Sequence, residues 1–180
     1  MVIQTLKRIP LEAKVAMTKI VVRKISVALC ALVLSIGMLA GCAGGPVNGA
    51  SEEQQANRTY MSQVNQAMVE LGDNLDQFVD AVSRDDVVNM RTQADNAYKT
   101  LDKLSELEAP EALADVKQGY VDGTSKLREA LDEYIKLYTE ARSDDFDWSK
   151  YDNRVADVQK LYDEGVSLLQ TADETAAQKG

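Results

Sequence analysis

Apolar residues in the C-terminal part of this chain recur at steps of three and four, and this spacing restricts the possible fold more than any other feature of the sequence. The first run consists of Met61, Val64, Met68, Leu71, Leu75, Phe78 and Val82. Because an α-helix has about 3.6 residues per turn, this spacing places all of these side chains on one face. The run therefore predicts an amphipathic helix that buries this face against other helices.

Three further runs repeat the pattern after short polar breaks. The second contains Val87, Met90, Ala94, Ala97, Leu101 and Leu104. The third contains Leu113, Val116, Tyr120, Gly123, Leu127, Leu131, Tyr134 and Tyr138. The fourth contains Trp148, Tyr151, Val155, Val158, Tyr162, Leu169 and Ala172, and it has Gly165 at a stripe position. A glycine there indicates a close approach between two helices.

The breaks between the runs carry the residues that start helices. Ser51 with Gln54 predicts a capping box for the first helix, and Ser83 stands at a similar spacing from Asp86 before the second. Pro110 beside Glu111 suits the first turn of the third helix, and Asp147 suits the N-cap of the fourth.

Because short loops join the helices, neighbours should pack antiparallel. We expect an all-α fold in which residues 51–180 form an antiparallel up-down four-helix bundle, with a three-helix bundle plus a loosely docked helix, or a dimerising rod, as alternatives.

The segment before the first helix has the order of an export signal. Lys19, Arg23 and Lys24 precede an apolar run from Ile25 to Met38, which is shorter than the about 20 residues of a spanning helix and ends in small residues. Leu39-Ala40-Gly41-Cys42 follows and resembles the lipobox of bacterial lipoproteins. The resemblance covers only this leader. A lesser alternative is that Cys42 is simply a small residue at a helix end.

The lipobox resemblance implies a processing step and a location. Diacylglycerol would be attached to the Cys42 thiol, and a peptidase would cut between Gly41 and Cys42. Residues 1–41 would then be a removed signal peptide, in which residues 1–16 are an over-extended start if translation begins at Met17. The Gly-rich residues 42–50 would form a flexible tether. We expect the product at the extracytoplasmic face of the cell membrane, held by lipid on Cys42 and without any other cofactor.

The composition argues against several classes of function. The chain has 20 basic and 29 acidic residues, and residues 1–41 hold six of the former and one of the latter. The part from Cys42 onward therefore carries 14 basic and 28 acidic residues, a net charge of -14. Such a surface repels nucleic acid and favours cations or basic partners. Histidine is absent, and no Gly-rich phosphate loop or catalytic triad is present. We do not expect an enzyme.

The third connection and the start of the fourth helix hold the strongest candidate for a ligand site. The acidic residues Asp144, Asp145 and Asp147 alternate there with the aromatic residues Phe146, Trp148 and Tyr151. Clustered carboxylates suit a hard cation, and aromatic rings suit a sugar or an organic cation. The spacing matches no calcium loop, so helix capping and solvation are the favoured roles of the acids. Trp148 and Tyr151 also fall on the apolar stripe, which favours a core role for them and leaves Phe146 as the most exposed ring.

The sequence thus predicts the cellular location of the protein more clearly than its molecular function. We expect a lipid-anchored helical bundle that acts as a binding, scaffold or sensor module for a protein partner at the cell envelope. The alternative is a lipoprotein that binds a small ligand or a cation through the acidic and aromatic residues 144–152.

Overall fold

The computed structural model describes residues 51–179, and these form four α-helices without a strand. The helices are α1 (Glu52–Ser83), α2 (Val87–Glu106), α3 (Ala114–Glu140) and α4 (Tyr151–Lys179). They pack antiparallel in an up-down bundle, which confirms the predicted fold. Within this part of the chain, no helix is long and apolar enough to span a membrane. The predicted signal peptide, the lipobox and the tether lie outside the described residues.

The starts of α1, α2 and α3 follow the predicted capping residues with two differences. The Ser51 hydroxyl accepts a hydrogen bond from the Gln54 amide, and the Gln54 side chain accepts one from the Ser51 amide, both at 3.2 Å, so the capping box is present. The cap of α2 is Asp86, which accepts from the Asn89 amide, while Ser83 is still part of α1. A 3-10 turn, Glu111–Leu113, separates Pro110 from α3.

The apolar stripes form the core. Each predicted stripe residue from Met61 to Ala172 is buried or half-buried, and Val64, Met90, Ala97 and Tyr120 have no exposed surface. Tyr60 lies beside the first stripe and is also buried, with 2 % of its surface exposed. Periodicity therefore identified the buried faces of all four helices.

The four helices pack as two close pairs, α1 with α2 and α3 with α4. In the second pair the backbones meet at Gly123 and Gly165. A Cβ added at Gly165 would lie 3.1 Å from the Gly123 carbonyl oxygen and 2.9 Å from Leu127 Cδ2. The close approach predicted from Gly165 is confirmed, and it depends on the absence of both side chains.

Larger side chains fill the space between the two pairs. Phe78 of α1 meets Tyr134 of α3 edge to face, with ring centroids 5.6 Å apart. The backbones of α1 and α4 approach each other least closely among the neighbouring helices. The α1/α4 seam is therefore the widest part of the bundle.

The bundle has two different ends. We call the end where α1 begins and α4 finishes the base, and we call the end with residues 84–86 and 141–150 the tip. Across the tip, Asp85 accepts hydrogen bonds from the Tyr138 hydroxyl and the Arg142 guanidinium. Since α1 has 32 residues, the tip lies about 48 Å from Ser51.

Candidate functional site

The acidic and aromatic residues predicted as a site lie together at the tip. The chain continues the last turn of α3 beyond Glu140, because the Ser143 amide donates a hydrogen bond to the Glu140 carbonyl oxygen at 2.9 Å. The chain then bends and enters a second 3-10 turn, Trp148–Lys150, that leads directly into α4. An ion pair between Arg154 of α4 and Glu140 of α3 closes the connection. The site therefore belongs to an ordered turn between two helices.

Asp147 is a cap, as predicted, but it caps the 3-10 turn Trp148–Lys150 and not α4 itself, which begins at Tyr151. Its carboxylate accepts hydrogen bonds from the Ser149 hydroxyl at 2.6 Å and from the Ser149 amide at 3.1 Å. Lys150 Nζ lies 3.2 Å from the other carboxylate oxygen. Hydrogen bonds from Ser149 and then from Lys150 hold the pKa of Asp147 below its ordinary value. The carboxylate of Asp147 is thus already hydrogen-bonded to Ser149 and paired with Lys150 within the turn.

Asp144 and Asp145 are exposed. Among residues 51–179, no three acidic side chains come together in an arrangement that can hold a metal ion. Asp144, Asp145 and Asp147, which are close in the sequence, are therefore not brought into one set of metal ligands.

Phe146, Trp148 and Tyr151 form a single aromatic cluster. Phe146 meets Trp148 and Tyr151 edge to face, with centroid separations of 5.1 Å and 6.3 Å, and Trp148 lies 5.4 Å from Tyr151. All three rings are half-buried. Phe146 is therefore less exposed than the sequence suggested, because its ring packs against its two neighbours instead of extending into solvent. The cluster covers the tip between α3 and α4 and leaves part of each ring accessible.

A second polar group of residues, which the sequence did not single out, lies near the base. The Tyr120 hydroxyl donates to the carboxylate of Asp173. Burial raises the pKa of Asp173 above its ordinary value, although the hydrogen bond from Tyr120 opposes this effect. The hydroxyl of Tyr60 and Oδ1 of Asn57 are buried without a hydrogen-bond partner, and burial raises the pKa of Tyr60 to about 12. The position of Tyr60 next to the first apolar stripe could have indicated that its ring is buried. Nothing in the sequence indicated that its hydroxyl would lack a hydrogen-bond partner.

The structure also contains an apolar cavity of about 50 Å³ between the two helix pairs. All four helices line it, on the tip side of the bundle along the α1/α4 seam. Helical periodicity shows which faces are buried but does not show how completely facing side chains fill the space between them, so this cavity could not be predicted from the sequence.

No protein-family model, no curated protein and no solved structure matches this chain.

Proposed function

We propose that the chain is a lipid-anchored bundle that displays its tip to a protein partner outside the cytoplasmic membrane. The observation that carries this proposal is the order of the leader: three basic residues, an apolar run, and Leu39-Ala40-Gly41-Cys42 immediately before a Gly-rich segment. That order is typical of a lipoprotein signal. Two acyl chains at about 0.8 kcal/mol per buried CH₂ would hold a domain on a bilayer for long times.

The geometry of the bundle supports the same proposal. A tether of nine residues, Cys42 to Ala50, leads into Ser51 at the base. The tip then lies about 48 Å further along α1 and points away from the attachment point. Exposed aspartates and a partly accessible aromatic cluster occupy this far end. Aromatic residues are enriched at protein interfaces, and the acidic surroundings favour a basic partner.

The test of the anchor compares the native protein with a Cys42→Ser variant, both expressed from the full chain. Intact mass and membrane fractionation are measured for each. We expect the native protein in the membrane fraction as a lipidated product that begins at Cys42, and the variant outside that fraction. If both proteins stay soluble and share one cut site, the chain is an ordinary secreted bundle and the lipid anchor is refuted.

A second function, the binding of a small cation at the tip, is favoured by one observation. The three rings of the aromatic cluster are half-exposed beside Asp144 and Asp145, which is a chemistry suited to an organic cation. Titration with tetramethylammonium, and separately with Ca²⁺, while the fluorescence of Trp148 is recorded, tests it. A saturable change that Phe146→Ala removes supports this function, and unchanged fluorescence up to millimolar probe argues against it.

A further inference from the structure

The outer surface of the bundle leaves apolar side chains uncovered along the seam between α1 and α4. The backbones of these two helices approach each other less closely than those of the other neighbouring pairs. On α1, Leu75 and Val79 are only half-buried, and Val69 keeps 60 % of its surface exposed. On α4, Val155 and Val166 are half-buried. Both helices therefore present apolar surface to solvent at this seam.

Contacts of the two helices with their other neighbours show how these residues are oriented. Glu70 and Asn74 of α1 contact α2, so Val79, on the other edge of the helix, is turned toward α4. Arg154 of α4 contacts α3, so Val155, on the other edge of its buried stripe, is turned toward α1. We call the surface between them the α1/α4 groove, and its apolar residues are Val69, Leu75, Val79, Val155 and Val166.

The charged residues that flank this groove are acidic. The sequence of α1 has no basic residue between Arg58 and Arg84. Asp76 of α1 and both Asp152 and Asp163 of α4 are exposed, and helical geometry places them beside the valines of the groove. None of these three carboxylates forms an ion pair within residues 51–179. Their charges are therefore not balanced by a basic side chain of the described bundle.

The other three seams of the bundle differ in this respect, because each is bridged by an ion pair between its two helices. These pairs join Glu70 to Lys103, Asp102 to Arg128 and Glu140 to Arg154. No ion pair bridges α1 and α4 within the described residues, and Lys160 of α4 pairs with Glu164 of its own helix at 3.8 Å. The α1/α4 groove thus combines uncovered apolar surface with carboxylates that lack basic partners.

We infer that the α1/α4 groove binds a basic amphipathic helix of a protein partner. The apolar face of such a helix would cover the valines of the groove, and its lysine or arginine side chains would reach the three flanking carboxylates. A second copy of this chain is a poorer match, because the part from Cys42 onward carries a net charge of -14 and would repel itself. The inference rests on the groove alone and depends neither on the lipid anchor nor on the tip.

The test uses residues 51–180, because the four helices bury one common core among themselves. The probe is a peptide of three Leu-Lys-Lys-Leu-Leu-Lys-Leu repeats, whose leucines form one face of a helix with lysines beside them. The control peptide has glutamate in place of every lysine. Calorimetry and methyl NMR should show saturable binding of the lysine peptide alone, with shifts at Val79, Val155 and Val166 and none at Val88, an exposed residue of α2.

Matched variants separate the groove from general attraction to an acidic surface. Asp76→Lys reverses one flanking charge and should weaken binding about ten-fold, since it removes an attraction and adds a repulsion. Asp122→Lys makes the same change at an exposed position of α3 and should alter the affinity less than about two-fold. Val79→Ser should also weaken binding, and Phe146→Ala at the tip should leave it unchanged. Circular dichroism verifies that each variant is folded, and Asp76→Lys decides the test if Val79→Ser is not.

The inference is overturned if the two peptides bind alike, if Val88 shifts together with the valines of the groove, or if Asp76→Lys and Asp122→Lys have equal effects. Two other occupants are tested in the same series. Dimers of residues 51–180 in sedimentation equilibrium that Asp76→Lys alters would assign the groove to a second copy. Tighter binding of a peptide with residues 1–24 of this chain than of the lysine peptide would assign it to the chain's own leader. Either result would also overturn the inference.

Discussion

The contact between Gly123 and Gly165 should control the stability of the α3/α4 pair, and Gly123→Ala tests this directly. A Cβ at position 123 would lie 2.7 Å from Leu169 Cδ2, 2.8 Å from Leu169 Cγ and 3.1 Å from the Gly165 carbonyl oxygen. Leu169 is itself only 2 % exposed, so its side chain has little room to move. The carbonyl belongs to the backbone of α4 and moves only if the two helices separate.

Two opposing effects set the size of the change. Alanine is favoured over glycine inside a helix by about 1 kcal/mol. Overpacking a filled core costs typically about 1–3 kcal/mol, and the upper part of that range applies because one neighbour is backbone. We therefore expect Gly123→Ala to lower the free energy of unfolding by about 1–2 kcal/mol net.

Urea unfolding followed by far-UV circular dichroism measures the effect. Gly72→Ala, in the middle of α1 and away from the α3/α4 contact, is the matched control and should gain stability from helix propensity alone. Gly165→Ala should be destabilising as well, and the double variant should lose less than the sum of the two, because one separation of the helices relieves both contacts. If Gly123→Ala is as stable as Gly72→Ala, the close backbone contact does not limit the packing and the reasoning is refuted.

Three further predictions concern the base of the bundle. Tyr60→Phe removes a buried hydroxyl that has no partner and should leave thermal stability equal or raised by up to about 1 kcal/mol, and a marked loss would show that the hydroxyl is satisfied in solution. Burial raises the pKa of Asp173 in the folded chain. The carboxyl group therefore contributes most to the free energy of unfolding at a pH below its pKa in the unfolded chain, and this contribution is lost as the pH rises through its pKa in the folded chain. Asp173→Asn should therefore be more stable than the native chain at neutral pH, with the difference shrinking in acid unfolding series, and a difference that grows in acid would contradict this. Ser51→Ala removes the hydrogen bond that the Ser51 hydroxyl accepts from the Gln54 amide and should cost about 1 kcal/mol in urea unfolding, whereas an unchanged midpoint would show that the first turn of α1 does not contribute to cooperative unfolding.

The buried faces and the order of the helices followed from the sequence because they depend on local periodicity. The runs beginning at Met61 and at Val87 needed no knowledge of the other helices to be assigned. Asp147 and Ser51 could be assigned as caps for the same reason, since a cap acts within one turn. Gly165 was informative because glycine at a buried stripe position has few explanations other than close packing.

The features that the sequence missed depend on distances between elements. Tyr60 lies at the edge of the first stripe, and its burial depends on the position of α3 opposite it. The exposure of Phe146 was overestimated because its contacts with Trp148 and Tyr151 arise only once the 3-10 turn has formed. The cavity beside Ala130 reflects how closely two helix pairs approach, which no single stripe encodes.

The pairing of α1 with α2 and of α3 with α4 also has a consequence for the speed of folding. Each close pair is continuous in the sequence and is joined by a short connection, so its contacts form without closing a long loop. Domains that are rich in such local contacts fold on microsecond to millisecond timescales. The union of the two pairs, where Phe78 must meet Tyr134, requires contacts between segments far apart in the sequence. That union is the step with the largest loop-closure entropy, and the transition state for folding should lie there.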